Sequence, residues 1–170
     1  CAARIELAAD DALAADNRAW IELIEPRPVR TLLVTAGHFF LELAAKNDPM
    51  CDPVFMTPDA FEAGVTGGTL DIRDYDVILL DRFCPRNLPP GAYFILGAAP
   101  KLPGFIDKAA AEAPAVIDWD VAHPVNRHVG YGSLALASAL ALETPGRAET
   151  LVDSTAGPLV LEYNTDTHRL

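Results

Sequence analysis

The chain has 170 residues and is 51% hydrophobic, enough to bury one full core and cramped for a second. A formal charge of -11 and a pI near 4.6 argue against nucleic acid or an anionic membrane as the partner, because phosphate binding needs clustered Lys and Arg. No apolar run approaches the roughly 18 to 20 residues that span a bilayer, and Cys1, Cys51 and Cys84 are too far apart for a Cys-x-x-Cys metal site or a disulfide framework.

In chain order, Arg4 to Leu7 and Ala19 to Glu25 read as two β runs joined by the connector Ala8 to Arg18, whose Asp and Asn side chains suit a turn. A calcium loop is the sharper reading of that connector, but the alternating oxygen ligands, central Gly and closing Glu are missing. Pro26-Arg27-Pro28 fixes φ and removes backbone donors, which makes it a rigid linker. The stretch Arg30 to Lys46 sets the pattern for the rest of the chain. Its apolar run ends in Gly37, and Phe39, Phe40 and Leu43 then fall at helical spacing, the opening of an α/β unit whose strand is covered on both faces. Ligands of parallel sheets bind beyond the carboxyl ends of the strands, so chemistry is expected at Thr35 to His38.

Pro53 to Pro58 is a short second strand that its prolines place at a sheet edge. Asp59 to Gly68 predicts a brief helix at most and then a flexible connector, since Gly64-Val65-Thr66-Gly67-Gly68 lacks the Lys and Ser/Thr of a phosphate-binding loop. Tyr75 to Asp81 is the third strand and, from its apolar core, a central one. A proline-rich loop leads to a fourth strand over Ala92 to Gly97 and a turn at Gly97-Ala98-Ala99-Pro100. Phe105 to Ala113 has helical composition, Ala115 to Trp119 reads as a fifth strand, and Leu134 to Leu142 reads as a strand because its larger residues recur at every second position. Glu149 to Asp153 and Pro158 to Tyr163 complete an antiparallel C-terminal third. Both chain ends are expected to be cut, with Asp166 to Leu170 a turn feeding a new strand.

The acidic hairpin Asp11 to Ala19, the Leu32-Leu33-Val34-Thr35 strand, Tyr75 to Asp81, Asp118-Trp119-Asp120 with His123-Pro124-Val125, and Gly157-Pro158-Leu159 occur in that order. Together they resemble the class I glutamine amidotransferase-like domain of membrane-anchored bacterial proteins that also carry a von Willebrand factor A domain, relatives of the aerotolerance-regulator (Bat-type) proteins. The resemblance implies an α/β fold with a flavodoxin-like three-layer core and a mainly parallel sheet, plus an N-terminal β-hairpin and a C-terminal antiparallel β section. Residues 1–25 would close a preceding β-rich domain, and residues 26–170 would form the amidotransferase-like domain without its last strand. The resemblance also implies membrane anchoring outside this stretch, these residues being a soluble portion of an envelope protein with the periplasm as one compartment for it. The expected partners are then other domains of the parent protein or envelope proteins, with no nucleic acid and no direct membrane insertion.

Amidotransferase chemistry needs a cysteine at a strand-to-helix elbow, usually Gly-x-Cys-x-Gly, with a His to activate it and a carboxylate to orient the His. Cys84 comes closest, at the end of the third strand, but no glycine flanks it and Pro85 lacks the N–H that the residue after the nucleophile supplies. The elbow position after the fourth strand holds alanines, and none of His123, His128 or His168 begins a His-x-Glu pair. The expectation is a domain that keeps the fold without the site, a structural or interaction pseudoenzyme with no cofactor. The alternative is a hydrolase or metal-dependent enzyme acting on a small polar substrate. It would use His38, Asp118, Asp120 and His123, with His128 as a further metal ligand, because two carboxylates and two imidazoles lie close in sequence. The structural reading of the same residues has Asp120 and His123 fixing a turn, Trp119 packed in the core and His38 starting a helix. A small-ligand sensor is a third class, for which no determinant stands out.

Overall fold

The computed structural model describes residues 2–6, 18–22 and 26–170. Strands β1 (Ala2–Glu6) and β2 (Arg18–Glu22) form an antiparallel hairpin. The connector between them, with the calcium-loop reading, lies outside the described residues. The linker Pro26-Arg27-Pro28 is tied down: the Arg27 guanidinium grips the Asp76 carboxylate with bonds of 2.8 and 2.6 Å, and that carboxylate also accepts from the Arg30 backbone N–H. The paired guanidinium holds the Asp76 carboxyl down to about 2.

Strand β3 (Val29–Val34) leads into helix α1 (Phe39–Asn47), which His38 caps by accepting the Leu41 N–H at Nδ1. Strand β4 (Cys51–Met56) comes next, then helix α2 (Pro58–Gly67), strand β5 (Val77–Asp81) and strand β6 (Gly91–Leu96). The short strands β7 (Ile106–Asp107) and β8 (Ala111–Glu112) precede β9 (Val116–Trp119). After β10 (Ser138–Ala139) and β11 (Leu142–Glu143) come β12 (Glu149–Ser154), β13 (Gly157–Glu162) and β14 (His168–Arg169).

Five strands form a parallel sheet in the order β14-β6-β5-β3-β4, with β5 at the centre and β4 at an edge. Strands β13-β12-β9 form a separate antiparallel sheet, so the fifth strand read from Ala115 to Trp119 belongs to this sheet, and β14 takes the fifth place in the parallel one. Strand alternation divides the parallel sheet into two faces. Leu32, Val34, Ile78, Leu80 and Tyr93 point to the side where Phe61 of α2 completes a closed apolar cluster. The opposite side carries Leu33, Phe55, Leu79 and Phe94, and there α1 lays Lys46 over the Phe55 ring at 4.7 Å.

Four expectations are corrected. The brief helix at Asp59 is a full ten-residue helix that runs through Gly64 and Gly67. Thr57 caps it by accepting the Ala60 N–H, Pro58 sits in its first turn, and Gly68 ends it at φ +66, a conformation costly for any residue with a Cβ. The helix expected over Phe105 to Ala113 is instead a broken ribbon in which β7 pairs with β11 and β8 with β10. Within that ribbon the strand expected from Leu134 to Leu142 is reduced to two-residue pieces. Long-range pairing outweighs local alanine propensity here. Finally, the apolar side chains of α1 are not covered: Phe39 and Phe40 are 71% and 75% exposed.

Candidate functional site

The carboxyl ends of β3 and β5 meet where the sheet reverses its winding, because β3 is followed by β4 on one side and β5 lies on the other. Asp81 ends β5 and is almost wholly buried. Its Oδ2 accepts a 2.7 Å bond from the Thr35 hydroxyl and lies 3.3 Å from a guanidinium nitrogen of Arg82. Thr35 in turn accepts the Gly37 N–H at 3.1 Å, so the turn after β3 is locked to the end of β5. A buried carboxylate is tolerated only when paired and hydrogen-bonded in this way. Arg82 itself has φ +50, and its N–H donates to the Leu96 carbonyl. The chain turns out of β6 at Gly97, φ +63, where an added Cβ would lie 3.1 Å from Arg82 Cγ. Sequence reading singles out Thr35 and His38 in this crevice but not Asp81 or Arg82. A charged pair closing the most apolar strand is the signal that could find them.

His38 serves as a helix cap, with Nδ1 bound to the Leu41 N–H. Cys84 lies half-buried beside the α2-side core, its Sγ 3.7 Å from the Pro85 carbonyl. Burial pushes its thiol up, away from the thiolate a nucleophile needs. Cys51, at the start of β4, is a free thiol at the edge of the sheet.

The second cluster resolves into local capping. Asp118 accepts the Trp119 N–H, Asp120 accepts the Ala122 N–H at 2.8 Å, and His123 Nδ1 accepts the Val125 N–H at the start of a short 3-10 turn. Buried Asn126 donates to the Asp120 and Leu151 carbonyls and accepts from the Tyr131 hydroxyl, which fastens the loop to β12. Trp119 is half-buried against the Tyr131 ring. His128 is exposed at φ +72. Among the described residues no three His, Cys, Asp or Glu side chains stand close enough to hold a metal ion. Sequence reading misses a partner from β13: Glu162 lies 2.8 Å from His123 Nε2. With Nδ1 and Nε2 both engaged, His123 is a structural link between the loop and the antiparallel sheet.

A groove of about 490 Å³ lies beside the carboxyl-terminal half of β6. One wall is Phe94, Ile95 and Leu96, and the other is Leu159, Val160 and Leu161 of β13. Phe105 and the β10–β11 segment form its floor, and among the described residues Arg82 is the one charged side chain in its lining. Consecutive residues line both walls. Side chains of a strand alternate between faces, so a wall of consecutive residues is a strand edge. Among the described residues β14 covers β6 at Gly91 and Ala92 only, and β13 pairs on one side only, with β12. The groove is therefore a slot between two strand edges, with Leu170 at the end of β14 in its lining. No family model matches the chain, and no curated protein matches it.

Proposed function

We propose that this chain is a non-catalytic structural or protein-interaction domain, an amidotransferase-like pseudoenzyme within a membrane-anchored multidomain protein. The observation that carries the reading is the groove beside β6, lined by apolar side chains from two sheets, with Arg82 the one charged residue among the described residues of its lining. An apolar lining of this kind suits apolar side chains of a polypeptide better than a small polar substrate. The parallel sheet supports a flavodoxin-like core: in chain order its strands lie second, first, third, fourth and fifth, the arrangement of that fold class. The elbow position after β6 is Gly97-Ala98-Ala99-Pro100, without a nucleophile, and Cys84 has a raised thiol and a proline after it. Partners are sought among other domains of the parent protein or envelope proteins.

The test is ammonia release from glutamine by the purified chain and its Cys84→Ala variant, with and without zinc or manganese. The expected result is no turnover above a protein-free blank for either protein. Turnover that disappears in Cys84→Ala would make this an amidotransferase.

A further inference from the structure

We propose that His123 is a proton-operated catch on the loop between β9 and β10: a proton taken up at Nδ1 releases the Val125 N–H and loosens the start of the 3-10 turn Pro124–Asn126, while Nε2 keeps the ring on Glu162 of β13.

The two ring nitrogens have different and fixed duties. Nδ1 accepts the Val125 N–H at 3.3 Å, so it carries no proton. Nε2 lies 2.8 Å from a Glu162 oxygen, which is an acceptor, so it carries one. The neutral ring is thereby held in its Nε2–H form, and Nδ1 is the one place left on it for a second proton. That proton would set two N–H groups against each other at the start of the turn, and the cap is lost. The later bonds of the turn need no imidazole. The Asn126 N–H donates to the His123 carbonyl at 3.0 Å and the Arg127 N–H to the Pro124 carbonyl, while the Asn126 side chain stays fastened to the Asp120 and Leu151 carbonyls. The change is therefore confined to the stretch from Val121 to Val125, whose two valines are exposed.

The charge of the adjoining sheet holds the protonated ring in place. Strands β9, β12 and β13 contribute Asp118, Glu149, Asp153 and Glu162 and no Lys or Arg. Glu149 stands opposite Glu162, and Asp153 opposite Asp118, two like-charge pairs that repel across neighbouring strands. The Asn164 side chain donates to the second Glu162 oxygen and orients the carboxylate toward the ring. On the loop itself the Asp120 carboxylate is taken by the Ala122 N–H, and the charged or titratable side chains that follow the turn are Arg127 and exposed His128. A bond from imidazolium to carboxylate is charge-assisted and stronger than one from the neutral ring, so the same proton that undoes the cap tightens the hold of β13. Histidine is the side chain that ordinarily changes charge between about pH 5 and 8.

The test is nuclear magnetic resonance of the isotopically labelled full chain, titrated from about pH 8 to about pH 5. At the upper end, long-range proton–nitrogen spectra should place the His123 ring proton on Nε2. As the ring titrates, the Val125 amide resonance should move with the same midpoint. Its exchange with water, relative to an unstructured peptide, should rise about threefold or more, whereas that of Asn126 stays unchanged. The Nε2 proton, bound to Glu162, should remain visible throughout. In His123→Asn a side-chain oxygen that does not titrate accepts the same N–H, so Val125 should stay protected over the whole range. The inference is overturned by a neutral ring protonated on Nδ1, by a Val125 amide that ignores the titration of the ring, or by loss of the Nε2 proton signal as the ring charges. An equal response of Val125 in His123→Asn would also overturn it, in favour of the neighbouring carboxylates.

Discussion

The two faces of the parallel sheet are built from the same strands and differ in what covers them. On the α2 side Leu32, Val34, Leu80 and Phe61 have no exposed surface at all, whereas on the α1 side Phe55 and Phe94 remain 38% and 46% exposed under a helix whose own aromatics face outward. One face is thus closed throughout, whereas the other buries Leu33 at its centre but leaves apolar surface accessible around it. An interaction domain needs this division, because apolar area already committed to the core cannot drive association.

The contrast can be broken at its strongest point with Phe61→Ala, which removes the ring that closes the α2-side cluster. A loss of about 3 to 5 kcal/mol in urea unfolding is expected. Next is Thr35→Val, which keeps the shape but takes the hydroxyl from buried Asp81. It should cost about 1 to 3 kcal/mol in the same assay, because the carboxylate loses its shortest partner. On the open face, Phe40→Ser should change unfolding free energy by no more than about 0.5 kcal/mol, and a cost near that of Phe61→Ala would show that α1 seals a second core.

The smallest effect expected is electrostatic and lies at the linker. Because Arg27 depresses the Asp76 carboxyl to about 2, the native state binds this proton less readily than the unfolded chain does. The contribution is therefore complete above the ordinary carboxylate range near 4 and is lost as pH falls through about 2. Carboxyl titration by nuclear magnetic resonance should place Asp76 below the ordinary carboxylate range, and Arg27→Gln should bring it back toward that range.

The parallel core is legible in the sequence because its strands are nearly continuous apolar runs, a pattern that burial on both faces imposes. That pattern places Tyr75 to Asp81 at the centre, and the prolines flanking Val54 to Thr57 point to an edge. Helix α2 is harder to see, since Gly64 and Gly67 lower its propensity by about 1 kcal/mol each relative to alanine. Its caps, Thr57 and Gly68, are the better signal. Phe105 to Ala113 misleads in the opposite direction: its alanines favour helix, but its partners lie far along the chain at Ser138 to Glu143. Composition carries no record of such pairing. For the same reason the Asp120 and His123 turn can be read locally, while the Glu162 contact and the slot, both made by β13, cannot.

Amide hydrogen exchange of the free chain, resolved residue by residue, tests the open slot most directly. Main-chain groups of Phe94 and Leu96 face β5, whereas that of Ile95 faces the slot. The account predicts that the Ile95 and Leu161 amides of this chain exchange at least roughly tenfold faster than those of Phe94 and Val160. Equal protection of all four amides in the free chain would contradict it, because the edges beside the slot would then already be paired.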